Sequence, residues 1–142
     1  MLIKALIAAV LCTTVHAKEV SAIPTKLVAS IDEWKGRSYR VELAASGSIN
    51  YFDALSRARP ILIRVPPERW RSFRRHLDAA KVWSWRREYM DLGVADGTSW
   101  DFAVVYADRK ISSKGLNAYP SKKQFQQFCT ALQELTGGKP FE

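Results

Sequence analysis

The polar and aromatic residues that could do chemistry are concentrated in one stretch, DGTSWDFAVVYADRKISSKGLNAYP, at residues 96–120. Asp96, Asn117 and Tyr119 could hydrogen-bond to a ligand, and Trp100 offers an aromatic surface for stacking. The same residues also have a structural interpretation, because Asn and Asp-Gly favour turns in which the side chain hydrogen-bonds to nearby backbone. We therefore expect these four residues to be mostly scaffold, with a ligand pocket as the alternative.

The sequence offers no recognisable catalytic or metal-binding set. His76 could act as a general base only beside a nucleophile, and the sequence has no G-x-S-x-G motif to supply one. Cys129 lies beside an apolar helical stripe, as a buried cysteine does. One Cys and one His outside the predicted leader cannot supply the roughly three or four ligands of a zinc site. Acidic residues for glycoside hydrolysis are available, but no two are placed at a defined separation: Asp53, Glu88, Asp91, Asp96 and Asp101. We expect no catalytic residue, metal or cofactor.

A basic segment is the strongest candidate for binding. Residues 57–87 contain nine arginines and one lysine, against the carboxylates of Glu68 and Asp78. Arginine makes bidentate contacts with carboxylates and phosphates, and Arg and Trp are both enriched in interface hot spots. The predicted binding residues lie on the outward face of a helix and directly after it: Arg71, Arg74, Arg75, Lys81, Trp83 and Trp85. The alternative is a solvated face that only keeps the protein soluble.

The first seventeen residues are typical of a secretory signal peptide. Lys4 precedes an apolar stretch from Ala5 to Val15, and Val15-His16-Ala17 matches a cleavage site, so we expect cleavage after Ala17. The stretch is shorter than the roughly 20 residues that a membrane span needs. These features predict a periplasmic or secreted protein, for which we expect no nucleic-acid partner. With one cysteine left, no internal disulfide is expected.

Two hydrophobic periodicities indicate the elements that position these candidates. Alternation with a period of two predicts two hairpins, over residues 38–53 and 99–115, and a strand over 60–65. Spacings of three and four predict amphipathic helices over 67–81 and from the capping residue Ser121 to Gly137-Gly138. The order β-β-β-α-β-β-α predicts an α+β domain, with both helices on one face of an antiparallel sheet of about five strands. Residues 82–95 are compatible with helix, strand or loop.

The domain organisation follows from these elements. We expect a signal peptide at 1–17, an arm at 18–35 with one short element around Leu27–Trp34, one domain at 36–138 and a tail at 139–142. An apolar content of 47% supports a single globular domain. The net charge of +8 favours anionic partners.

Part of this pattern resembles a group of bacterial domains. The run D-G-x-x-W (Asp96, Gly97, Trp100), followed by a hairpin and G-x-N-A-Y-P (Gly115–Pro120), is similar to one in small exported or lipoprotein-like domains of unknown function. The stretch YRVELAASGSINYF resembles the first hairpin of such domains. The resemblance implies an α+β bacterial module, and it brings no catalytic residue.

These observations favour a small non-enzymatic binding protein in the bacterial envelope. Its expected partner is an acidic protein, as for an inhibitor or immunity protein, or another anionic envelope component, with peripheral contact to lipid headgroups included. One alternative is an enzyme of unrecognised type, acting on envelope material, with Asp96, Asp101, Asn117 and Tyr119 around one pocket. Another is a ligand-binding or assembly module on the bare face of the sheet, which requires exposed aromatic residues there.

Overall fold

The fold is α+β, as expected, but the sheet has seven strands where about five were predicted. A computed structural model describes residues 21–142, so the predicted signal peptide lies outside the described residues. The strands are β1 Lys26–Glu33, β2 Ser38–Leu43, β3 Ile49–Asp53, β4 Ile61–Ile63, β5 Glu88–Met90, β6 Thr98–Val105 and β7 Lys110–Leu116. The helices are α1 Pro67–Ala79 and α2 Lys122–Leu135, with a short 3-10 turn at Val82–Ser84. Neither of the two described helices has the length and apolar composition of a membrane span.

The two predicted hairpins are present, and both helices begin where expected. The β2–β3 turn closes with the Ala44 N–H donating to the Ser48 carbonyl at 2.8 Å. The β6–β7 turn closes from the Tyr106 N–H to the Arg109 carbonyl at 2.7 Å. Pro67 is the first residue of α1, where its missing N–H costs nothing. The Ser121 side chain caps α2 by accepting from the Gln124 N–H at 3.1 Å.

Strand β1 is the main departure from the predicted organisation. The strand order is β4-β3-β2-β1-β6-β7-β5, so residues 26–33 form the central strand and not an element of an N-terminal arm. Leu27, Ala29 and Ile31 are buried, while Ser30 on the other face is half-buried. Small residues on both faces weaken the contrast between apolar and polar positions. The period of two is therefore inconspicuous in the sequence.

Strand β5 is the second addition, and it resolves the ambiguous segment 82–95. After the 3-10 turn the chain forms a strand of three residues, which pairs with β7 in parallel. All other pairings in the sheet are antiparallel. A three-residue strand is too short for alternation to be recognised against a background of Trp and Arg residues.

Both helices cover one face of the sheet, as predicted. Residues paired across neighbouring strands share a face, and one such row runs Tyr51–Val41–Ala29–Phe102. Each of these four is buried. The helices contribute the buried stripes Trp70, Phe73 and Leu77 of α1 and Phe125, Phe128 and Leu132 of α2. We call this the inner face, and the uncovered side the open face.

The C-terminal residues are part of the core and not a free tail. Phe141 is 1% exposed and packs edge-on against Phe128, with ring centroids 6.2 Å apart. The Tyr51 hydroxyl donates to the Pro140 carbonyl at 2.5 Å. Burial, assisted by the Asp53 carboxylate, raises the pKa of Tyr51 to about 12, so this hydroxyl keeps its proton over the physiological range.

Candidate functional site

The stretch 96–120 forms an interlocked structural unit. Trp100 lies on the inner face, is 3% exposed, and donates its indole N–H to the Ala118 carbonyl at 3.0 Å. Gly115 lies opposite Trp100 on β7, and a Cβ built there would overlap the indole nitrogen. Only glycine leaves room for this indole, which explains the spacing between Trp100 and Gly115.

Asn117 completes the unit by closing the end of the hairpin. Its φ of 55° lies in the left-handed region, which Asn tolerates better than most residues. Its side-chain oxygen accepts from the Thr98 N–H at 2.8 Å, and its amide donates to the Val94 carbonyl at 3.4 Å. A Cβ at Gly97 would overlap this amide. Asn117 thus hydrogen-bonds to two backbone segments, as the scaffold interpretation requires.

The residues of the alternative pocket and of the enzyme hypothesis do not all lie on one face of the sheet. Tyr119 stacks on Trp100, with ring centroids 6.5 Å apart and an interplanar angle of 11°. Asp96 is exposed in the loop before β6. Asp101, the further acid of the enzyme hypothesis, lies on the open face opposite Ser30. Trp100 and Tyr119 therefore contact each other, whereas Asp101 lies on the opposite face of the sheet.

The open face does not have the aromatic surface that the third hypothesis requires. One cross-strand row carries alternating charges, Arg40–Ser30–Asp101–Lys114–Glu88. Lys114 Nζ lies 3.7 Å from Glu88 Oε1, and a shallow cleft of about 220 Å³ lies beside this pair. Phe52, which is half-buried, is the aromatic residue that the described strands place on this face.

Arg74, one of the predicted binding residues, is engaged within the fold. It makes a bidentate contact with Asp108 at the tip of the β6–β7 hairpin, with N–O distances of 3.1 and 2.8 Å. Its guanidinium lies 4.4 Å from the ring centre of Tyr106 and 5.1 Å from that of Trp83. The hydrogen bond raises the pKa of Arg74 and lowers that of Asp108. Arg74 therefore links α1 to the hairpin and is not a free binding group.

The two tryptophans after α1 also have structural roles. Trp85 is 5% exposed and packs against Trp100, Phe125 and Phe128, so it cannot contact a partner. Trp83 is half-buried and donates its indole N–H to Asp78 Oδ1 at 2.7 Å. The sequence predicts a binding role for both residues, because Arg next to Trp is typical of interface hot spots. The same combination is also typical of the boundary between core and surface, which is where these two residues lie.

The remaining predicted binding residues, Arg71, Arg75 and Lys81, are exposed. Arg71 and Arg75 line a groove of about 580 Å³, which we call the basic groove; its other lining residues are Ser21, Ala22, Ile23, Pro67, Arg74 and Asp78. Lys81 lies outside the groove, just past the end of α1. The sequence does not predict that residues 21–23 line this groove, since no pattern in residues 18–35 indicates a contact with α1.

His76 and Cys129 both contact other parts of the fold. His76 Nδ1 lies 3.3 Å from a Glu134 carboxylate oxygen, which makes a contact between the two helices. Cys129 is buried, and burial raises the pKa of its thiol, so it stays protonated and unreactive. No group of three or more His, Cys, Asp or Glu residues within 21–142 could hold a metal ion.

Comparison with known proteins adds no relative. No protein-family model matches the chain, and no curated protein matches it. The similarity to exported bacterial domains of unknown function stays a prediction. The structure does give its motif residues a shared physical role, because Gly97 makes room for Asn117 and Gly115 makes room for Trp100.

Proposed function

We propose that this protein is a small exported binding protein that engages an acidic protein partner in the bacterial envelope through the basic groove. The observation that carries the proposal is the pair of exposed guanidinium groups, Arg71 and Arg75, on one wall of a groove whose opposite wall is residues 21–23. Charged groups beside apolar surface are what a protein segment with acidic side chains needs for binding.

The charge balance within the groove supports an anionic partner. Arg74 is compensated by Asp108 and also lies 3.5 Å from Asp78. Arg71 has only a weak, exposed contact with Glu68 at 3.7 Å, and pairs of this kind contribute little to stability. Arg71 is therefore available to an incoming carboxylate, and Arg75 projects beside it. The overall charge of +8 attracts the same class of partner over longer distances.

The apolar part of the groove supports a protein partner over a simple polyanion. Ile23 is 43% exposed, and Ala22 and Pro67 lie beside it. A polyanion bound through charge alone would leave this apolar surface exposed to water. A protein segment could bury it and gain about 25 cal/mol per Å² of apolar area. An inhibitor or immunity-like role fits this combination of export, small size and a charged groove.

The decisive experiment is a capture assay with charge-reversed baits. Residues 18–142, which include every described element, would be immobilised and exposed to the soluble fraction of the envelope at low and at high salt. The test variant is R71E/R75E. The matched control is R57E/R59E, which reverses the same number of arginines in the β3–β4 loop at the far end of the sheet. Any retained protein would then be titrated against all three baits.

We expect one acidic protein to be retained at high salt by the native bait and by R57E/R59E. R71E/R75E should bind it about a hundredfold more weakly or worse, because reversing a charge opposite a carboxylate removes one contact and creates repulsion. Equal binding by both variants, or retention that disappears with salt for every bait, would contradict the proposal. Arg71 and Arg75 would then only contribute to solubility.

A further inference from the structure

The exposed apolar side chains are concentrated at one end of the sheet. The strand registers place the end of β1 beside the start of β2 and the start of β6. The ends of β3, β5 and β7 lie at this same end of the sheet. Four connections meet there, and we call this the loop end: the β1–β2 turn, the β3–β4 loop, the β5–β6 loop and the β7–α2 loop. These connections carry five of the nine exposed large apolar residues in the described chain: Trp34, Leu55, Leu92, Val94 and Tyr119.

The adjoining strand residues extend this surface. Ile61, the first residue of β4, and Met90, the last of β5, are also exposed and lie at the same end. The opposite end differs, since its two hairpin turns, residues 44–48 and 106–109, contain no exposed large apolar side chain, and Ile23 in the basic groove is the one that the described residues place there. Isolated exposed apolar residues are ordinary on a protein surface, but a one-sided concentration marks a contact surface.

The most exposed members lie at loop tips. Leu92 is 79% exposed, and Trp34 and Leu55 are each 64% exposed. The backbone of Trp34 is held in position because its main-chain N–H donates to the Gly97 carbonyl at 3.0 Å. A cleft of about 320 Å³ separates its turn from Val94 in the β5–β6 loop. Residues that project from loop tips can enter an apolar phase without any rearrangement of the sheet.

Basic side chains alternate with these apolar ones in two of the loops. Lys35 lies beside Trp34, with Nζ 6.0 Å from the ring centre, and Arg37, Arg57 and Arg59 are exposed nearby. Carboxylates are about as numerous at this end. Asp32 and Glu33 are exposed directly before Trp34, and the Asp53 and Asp91 carboxylates accept from the backbone N–H groups of Leu55 and Gly93, each at 3.0 Å. Asp96 is exposed in the β5–β6 loop. The net charge of this end is therefore small, and its basic residues lie in the two loops that carry Trp34 and Leu55.

We propose that the loop end seats on a lipid bilayer. Trp34, Leu55 and Leu92 would enter the boundary between headgroups and acyl chains, where tryptophan and long apolar side chains are favoured. Lys35, Arg37, Arg57 and Arg59 would meet the lipid phosphates. This contact is independent of the basic groove, which lies at the other end of β1 and would face away from the membrane.

A bilayer fits this surface better than a second copy of the chain does. A two-fold dimer presents the same patch from both subunits. If the two β3–β4 loops met in such a dimer, the arginines of one subunit would lie near those of the other. If they did not meet, the loop tips of each subunit would not pack against one another. A bilayer accepts apolar tips and cations side by side, because its apolar interior lies directly beneath charged headgroups.

The test uses residues 18–142 and vesicles of phosphatidylethanolamine and phosphatidylglycerol. Flotation would measure binding at low and high salt, and tryptophan emission would report on Trp34, the most exposed of the described tryptophans. The test variant is W34S/L92S. W34F keeps an aromatic ring at the tip and removes the reporting indole. R71E/R75E is the control, because it alters the basic groove and leaves the loop end intact.

We expect the native protein to float with vesicles at high salt and to show a blue shift in emission. W34S/L92S should partition about tenfold more weakly or worse, since each large apolar side chain contributes on that order. W34F should bind without the shift, and R71E/R75E should bind at high salt as the native protein does. Three results would each overturn the proposal: no flotation, equal flotation of W34S/L92S, or a concentration-dependent dimer that this variant abolishes.

Discussion

At the residue scale, two glycines and the side chains they accommodate explain the most conspicuous motif. Gly115 leaves space for the Trp100 indole, whose N–H reaches the Ala118 carbonyl at 3.0 Å. Gly97 leaves space for the Asn117 amide, which bonds to Thr98 at 2.8 Å. The motif thus encodes close packing between two strands and a loop. A pattern of this kind is easily mistaken for an active site, because it combines polar, aromatic and glycine residues.

We expect Gly115→Ala to destabilise the fold by about 3 kcal/mol, because overpacking a rigid site forces the backbone or a neighbouring side chain to shift. The added Cβ would overlap Trp100 and lie 2.5 Å from the Ala118 carbonyl oxygen. Chemical denaturation measures the change. Gly93→Ala is the control, since its Cβ meets only the Asp91 side chain, at 3.2 Å. A loss below about 1 kcal/mol for Gly115→Ala would show that the indole is not locked.

At the element scale, the β6–β7 hairpin is fastened to α1 through its tip. Asp108 lies in the turn, and Arg74 reaches it from the middle of the helix at 2.8 Å. Tyr106 and Trp83 enclose the guanidinium from two sides. A bidentate contact of this kind sets orientation as well as distance. The side chain that the sequence favours for binding a partner instead joins two elements of the fold.

The pairing predicts a pH dependence of stability. The hydrogen bonds from the Arg74 guanidinium hold the pKa of the Asp108 carboxyl below its usual range. A carboxyl with a lowered folded pKa contributes stability that is complete above the unfolded pKa and is lost as pH falls through the folded one. The native protein should therefore be more stable than Asp108→Asn at neutral pH, and the difference should shrink below the unfolded pKa.

Urea denaturation from neutral to acidic pH measures the stability difference between the native protein and Asp108→Asn, with Asp96→Asn as the control. Asp96 is exposed, and its side chain makes no hydrogen bond within residues 21–142. A stability difference for Asp108→Asn that stays constant down to the lowest pH would show that the Arg74 contact does not depend on ionised Asp108.

At the scale of the whole molecule, the two ends of the sheet differ in chemistry. The basic groove lies where β1 begins, between residues 21–23 and α1. The apolar and basic loop tips lie where β1 ends. The seven paired strands lie between these ends. A protein seated on a membrane by one end could thus present the other to a partner.

We expect hydrogen exchange to be slowest in β1 and β6 and fastest in the edge strands β4 and β5. Strand β1 is paired on both sides, to β2 and β6, whereas β4 has only three residues and β3 as its one neighbour. Opening the centre requires disruption of the whole sheet, while an edge can open locally. Exchange with mass spectrometry measures this order. Rapid exchange in residues 26–33 would mean that they form an arm after all.

The sequence by itself determined the elements whose signals are local. The β2–β3 and β6–β7 hairpins and the two amphipathic helices were predicted close to their observed bounds. Alternation, capping and turn residues act between near neighbours, so one segment contains all the information that they need. The scaffold role of Asn117 was predicted for the same reason, because it depends on turn chemistry.

Only the tertiary structure decided which segments and side chains meet. It made residues 26–33 the central strand, placed Phe141 in the core, and paired Arg74 with Asp108, thirty-four residues away. It buried Trp85, left Arg71 and Arg75 exposed, and placed most of the exposed large apolar residues at one end. Each outcome depends on burying the inner face of the whole sheet at once. That free energy belongs to contacts between distant segments, and no local pattern contains it.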